Sequence, residues 1–342
     1  MRQHLSQFIS VATLALATAV TPMHAQSYHL TKTFTLGGDG GWDYVALDTV
    51  GHRLFVARQD RVMVIDPESG KLLAEIPGLN RAHGVAFSYA TGKGFATSGG
   101  DSSVLVFDLK TLQVLGRTIA AVDADAVLFD PATKHIFTFN GDAGSSSVID
   151  AASGQRIGSV NLGGKPEFGV TTGTGKLFAN IEDSSEVVEI DAAAMKVTRR
   201  WKLAPCESPT GLAIDRAHSV LFSGCRSGVM AISDANSGKL ITTVPIGQGV
   251  DAARFDPATQ LAFASNGDGT ITVIHEDAPD KFTVVGTVQT KRGARTMELD
   301  LKTHRIFTVT ADFGPPPAPT PDRPRPRPPV LPGTFALLEL DR

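Results

Sequence analysis

Seven residues stand at one recurring position of this chain, and six of them are ionisable: Asp43, His83, Asp125, Glu167, Thr210, Asp251 and Arg295. Each is reached by counting back from the end of an apolar run, usually closed by Asp. Glu167 needs a one-residue shift, because PEFGVTTGTGKLF has a shorter turn than its fellows. His83, Asp125 and Glu167 come from three successive repeats with no cation among their neighbours in the series. One imidazole and two carboxylates can hold a divalent transition metal ion and leave coordination positions open. They can equally form a proton-transfer pair in which one carboxylate is kept protonated by the other's charge. A water-filled polar channel with no ligand is the third reading. Arg295 falls between Asp251 and Asp43 if the repeats close into a ring, so ion pairing to both is expected. Trp42, beside Asp43, suits either stacking on a ring-bearing ligand or packing between repeats. The candidate ligand-binding set is therefore Trp42, Asp43, His83, Asp125, Glu167, Asp251 and Arg295, with His83, Asp125 and Glu167 as candidate metal ligands and no residue assigned to catalysis.

The remaining chemistry-bearing residues are less concentrated. No HExxH metal motif occurs, and the glycines of 37–41 match neither a phosphate-binding loop nor a dinucleotide fingerprint. His52, His135, His218 and His304 fall in turns at the other end of the repeats, where a solvated turn histidine is expected. His275, followed by Glu276 and Asp277, belongs to that end as well. Cys206 and Cys225 flank the first two strands of a single repeat, so antiparallel pairing brings them together, and an oxidising compartment favours a disulfide.

These positions depend on the repeat. Phe55, Phe95, Phe137, Phe178, Phe222, Phe263 and Phe307 are spaced 40 to 44 residues apart, the period of propeller blades. VALDTVGHRLFVA, VLFDPATKHIFTFN, LAIDRAHSVLFSG, ARFDPATQLAFASN and MELDLKTHRIFTV show an apolar run ending in Asp, a polar turn, and a second apolar run. Third segments such as VLVFD, VVEID and ITVIH are short and β-branched and read as strands. The clearest repeat, HGVAFS, GFATS, VLVFDL and VLGRTI, makes a four-stranded antiparallel blade. The prediction is an all-β, seven-bladed propeller in which YHLTKTFTL supplies the outer strand that the last blade lacks, closing the ring and removing open sheet edges. Residues at the start of each innermost strand then meet where the central channel opens.

His275 and Asp341, the last two third-strand ends, are 66 positions apart, about 24 more than one repeat. The excess is a Pro-rich insertion at 312–333 in the last blade, expected in extended polyproline geometry as a solvated loop or a lid. Arg323, Arg325 and Arg327 would hang over the channel face.

Net charge is −3, with 20% charged residues; no global basic field exists to draw duplex DNA. The 42% hydrophobic content and 34 glycines fit tight turns around a buried core. Residues 1–25 read as an export signal, with Arg2 and His4, an apolar run from Phe8 to Val20, then Pro22 and Ala25. That run is too short to span a bilayer, so the mature chain, 27–342, is expected to be periplasmic or secreted, without a transmembrane segment. A closed ring has no obligatory partner edge, and a monomer is expected.

The repeats, together with GGWDY, GKPEF, APCESPTGLAID, SNGDGT, HEDAPDKF and GARTM, resemble the YVTN or YncE-type seven-bladed β-propeller family over nearly all of the mature chain. The resemblance implies a propeller fold and raises single-stranded DNA binding as one function. The residues themselves favour a noncatalytic scaffold that binds a small ligand, a metal ion or an envelope partner at the channel mouth. The rival is a propeller hydrolase or lyase using a metal-assisted His/Asp/Glu cluster.

Overall fold

Alternating apolar runs and Asp-initiated turns fold as sheets. The computed structural model describes residues 28–320 and 326–342; the export signal expected at 1–25 lies outside them, as do Arg323 and Arg325. Seven four-stranded antiparallel sheets follow one another along the chain. Blade 2 is typical, running from the channel outward as Ala82–Ser88, Lys93–Ser98, Ser103–Asp108 and Val114–Ile119. Numbered in chain order, the first six blades cover 45–77, 82–119, 124–161, 166–202, 209–245 and 250–289. The seventh combines Met297–Leu299, Ile306–Thr310 and Ala336–Asp341 with the N-terminal strand His29–Thr35, which pairs antiparallel to Ala336–Asp341 from His29 opposite Asp341 to Thr35 opposite Ala336. The expected closure of the ring is what the structure has. Among the described residues no helix is long and apolar enough to cross a membrane.

The recurring phenylalanines explain why blades stack. All seven lie on second strands and are at most 1% exposed. Phe55 of blade 1, for instance, meets Phe87 and Phe107 of blade 2 at ring-centroid distances of 4.9 and 5.8 Å. Each such ring, taken from water, contributes roughly 1.5–3 kcal/mol, and the contact is made between neighbouring sheets, so a blade is stable only within the ring.

The turn after the first strand is equally repetitive. In blades 3, 6 and 7 the closing aspartate accepts a hydrogen bond from the threonine hydroxyl three residues on: Thr133 to Asp130 at 2.8 Å, Thr259 to Asp256 at 2.8 Å and Thr303 to Asp300 at 2.7 Å. The next residue, Lys134, Gln260 or His304, takes positive φ. Cys206 and Cys225 are bonded, with α-carbons 5.6 Å apart, across the first two strands of blade 5.

Candidate functional site

The start of the inner strand is where the ladder slips. Pairing with the second strand is irregular between Ala82 and Val85, Ala124 and Val127, Pro166 and Gly169, Pro209 and Leu212, and Val250 and Ala252. A bulge leaves a residue unpaired and re-aims its side chain. His83, Asp125, Glu167, Thr210 and Asp251 occupy those irregular stretches, whereas Asp43 and Arg295 precede the shorter inner strands of blades 1 and 7.

The structure resolves these residues into two linked groups and one separate group. His83 Nδ1 lies 2.5 Å from Asp43 Oδ2 and 3.3 Å from Asp125 Oδ1, and donor atoms of the three fall within 4.8 Å of one another. Asp125 Oδ1 is shielded from solvent and makes no hydrogen bond. Arg295 bridges the expected pair, with Nε 2.6 Å from Asp251 Oδ2 and a terminal nitrogen 3.6 Å from Asp43 Oδ1. Glu167 stands apart, bonded to Glu182 and 3.9 and 3.6 Å from Lys165 and Arg226. Lys165 and Arg226 also hold Glu182, at 3.0 and 2.5 Å. Glu167 thus has two cations nearby that its aligned neighbours do not reveal, and Asp43 takes the place beside the imidazole. Thr210 is buried and donates to Val250 O at 2.9 Å.

Burial and mutual repulsion set the electrostatics. Asp125 is pushed well above the usual carboxylate range by burial, then by Asp43 and Glu167. Asp251 is raised by burial despite Arg295. Burial alone would lower Arg295, but Asp251 and Asp43 hold it above its ordinary value. Glu167 is raised to about 8 by burial and by its bond to Glu182; Glu182 is lowered, because Glu167, Lys165 and Arg226 outweigh its own burial.

Sequence reasoning did not single out Tyr44. It is buried, its ring stands edge-on to Phe168 across the channel at 5.3 Å, and burial together with Asp125, Asp43, Glu167 and Asp251 raises its hydroxyl well above the usual phenol range. Tyr44 therefore sits at the centre of the acidic ring. The available signal was size, since the equivalent positions in blades 2, 3, 5 and 6 are Gly84, Ala126, Gly211 and Ala252. Trp42 packs on Phe313 and Phe335 at 6.0 and 5.5 Å, and its shielded Nε1 has no hydrogen-bond partner. It also lines a cavity of about 300 Å³ with Arg292, Arg295, Phe313 and Arg327. The Pro-rich segment folds back on itself here, with Phe313 bridged to Val330 and Gly314 N donating to Pro329 O at 2.8 Å. Phe313 and the stretch from Arg327 to Val330 thus form a rim of the mouth.

No family model matches the chain. The probable U3 small nucleolar RNA-associated protein 18 of Schizosaccharomyces pombe is 24% identical over 230 residues, 63% of this chain and 44% of that protein. The chain thus spans less than half the length of the curated relative it matches. Among solved structures, Kuenenia stuttgartiensis hydrazine synthase superposes with a TM-score of 0.69 at 14% identity, covering 80% of this chain and 94% of that one. At such identity the likeness speaks for the propeller fold and assigns no activity.

Proposed function

We propose that this protein is an exported, noncatalytic binding scaffold of the YVTN-like propeller type, whose channel mouth takes a divalent metal ion between Asp43, His83 and Asp125. One observation carries the reading: two carboxylates converge on a single imidazole nitrogen, and one of them offers a shielded oxygen that nothing hydrogen-bonds. One proton cannot serve both acceptors well, whereas a divalent cation would neutralise both carboxylates and accept the nitrogen lone pair. Glu167 is left out of this set because its carboxyl is already engaged with Glu182, Lys165 and Arg226. The adjacent cavity under Phe313 and Arg327 gives room for a small ligand beside the ion. Export is supported by the Cys206–Cys225 bond and the N-terminal sequence. The test is elemental mass spectrometry on tag-free protein recovered from the periplasm without chelator. Wild type should carry one metal equivalent more than Asp125→Ala; equal content in the two would sink the reading.

A second reading has one observation in its favour. A carboxylic acid held protonated near neutral pH beside an ionised carboxylate, as at Glu167 and Glu182, is the usual arrangement of a general acid and its partner. On that reading the protein is a propeller hydrolase or lyase. Glu167→Gln would then abolish turnover of a substrate found by screening, with the metal content unchanged; undiminished turnover would dismiss it.

A further inference from the structure

On the face opposite the channel mouth, blades 5 and 6 both depart from the repeat, and the two departures touch. Asp215 closes the first strand of blade 5 as its counterparts do, but the residue three positions on is His218 where Thr133, Thr259 and Thr303 stand in blades 3, 6 and 7. In blade 6 the third strand runs on to Ala278, and Glu276 within it occupies the position that follows the strand-closing Asp in other blades. Its counterparts in blades 2 to 5 are Leu109, Ala151, Ala192 and Ala235, all buried and apolar. His218 Nδ1 lies 2.7 Å from Asp215 Oδ2 and 2.7 Å from Glu276 Oε1, so two exceptions 58 residues apart meet at one nitrogen. His218 is an exposed turn histidine, as expected, but one whose ring nitrogen is held between two buried carboxylates.

The environment is that of a ligand set. The side chains of Asp215 and Glu276 are each 1% exposed, and Glu276 Oε2 is buried without a hydrogen-bond partner. A buried carboxylate oxygen left unpaired is costly, and the neighbouring blades show that this packing position accepts an alanine. Among the described residues no lysine or arginine lies within 4.0 Å of either carboxylate. Donor atoms of Asp215, His218 and Glu276 fall within 4.8 Å of one another, and the His218 side chain is 38% exposed, which leaves water free to complete the coordination sphere. One imidazole nitrogen with two carboxylates suits a first-row divalent ion such as Zn2+ better than Ca2+ or Mg2+, which favour oxygen alone.

We propose that Asp215, His218 and Glu276 form a second metal site, a Zn2+-type centre that ties blade 5 to blade 6. It is independent of the channel-mouth site. The test uses tag-free protein stripped with chelator, dialysed, and titrated with ZnCl2 by calorimetry in the Asp125→Ala background, which disables the mouth. That protein should bind one equivalent, and its melting temperature should rise with Zn2+. Adding His218→Thr and Glu276→Ala, which install the residues of other blades and so keep the turn and core intact, should remove both the binding and the shift. No binding by Asp125→Ala, or equal binding by the triple variant, would overturn the proposal. Failure of the mouth site is read separately, as wild type and Asp125→Ala binding the same number of equivalents.

Discussion

At Glu167 the fold holds a proton that the unfolded chain would release. Its pKa is about 8 in the folded protein against 4.5 in the unfolded chain, so between those values the native state binds more protons and stability falls as pH rises. Glu182 acts with the opposite sign, because its lowered pKa is a stabilisation lost as pH drops below the ordinary carboxylate range. Glu167→Gln keeps the hydrogen bond to Glu182 and removes the titration. In urea melts at pH 5 and pH 8 the wild type should lose stability, on the order of a few kcal/mol for a buried carboxyl, and the variant should lose less, keeping only the share that comes from the other raised carboxyls, Asp125 and Asp251; parallel losses would refute the assignment. The sequence allowed one carboxylate among Asp125 and Glu167 to be kept protonated by the other, but did not disclose Glu182 as the partner of Glu167. Alignment of the repeats brought Asp43, His83, Asp125, Glu167, Asp251 and Arg295 to one end of the ring, but the cations of Glu167 come from a connecting loop and from the residue after a second strand, Lys165 and Arg226. Which side chains pair is decided by reach across the channel, a quantity absent from the repeat pattern. The Arg295 bridge was legible because ring order alone puts it between two aspartates.

Between residue and ring lies the inner strand, whose bulged start does two jobs. It turns one side chain to the axis and brings the next into contact with the neighbouring blade. In blade 5 that second position has little room: a β-carbon on Gly211 would lie 2.5 Å from the backbone of Ala252 and Ala253, and backbone does not yield as a side-chain tip does. Gly211→Ala should therefore cost about 1–3 kcal/mol, as overpacking does. Gly116, on the outer strand of blade 2, has nothing within 4 Å of the corresponding point, and Gly116→Ala should be neutral or slightly stabilising. Equal midpoints in urea for the two variants would contradict the close-approach account. Blade 5 has a second brace, the Cys206–Cys225 bond, which closes a loop with a sequence separation of 19. Replacing both cysteines by alanine should lower unfolding free energy by about 3 kcal/mol on chain-entropy grounds, and a thiol assay of unreduced wild type should return none. The pairing was readable from sequence because both cysteines sit at equivalent ends of adjacent antiparallel strands. Tyr44 was not, because its partner Phe168 is three blades away along the chain and becomes a neighbour only across the closed channel.

Closure is the property of the whole molecule on which both sites depend. The repeat fixed seven sheets in order, yet seven sheets could also stack as an open arc with two bare edges; what makes a ring is that the last blade takes its outer strand from the chain's other end. Tyr28 adds to this seam by donating to His304 O at 2.7 Å and by standing edge-on to Phe263 at 5.1 Å, and Arg305 joins Glu68 of blade 1 to Glu339 of blade 7. The mouth group spans the same seam, since Arg295 of blade 7 reaches both Asp251 and Asp43. Deleting 28–36 should therefore lower the melting temperature and expose the Ala336–Asp341 edge to intermolecular pairing, visible as concentration-dependent association. It should also loosen the mouth before the opposite face, because Asp43 follows the deleted segment by seven residues on the same connection, whereas Asp215 and His218 belong to blade 5, which does not adjoin the opened blade. Calorimetry on the truncated protein should then show Zn2+ binding weakened at the mouth and retained at the far site. A truncated protein with unchanged melting temperature would mean that the ring is held by blade-to-blade packing alone and that the N-terminal strand is an accessory to it, whereas equal loss of both sites would mean that the ring fails as one unit, with no graded loosening from the seam.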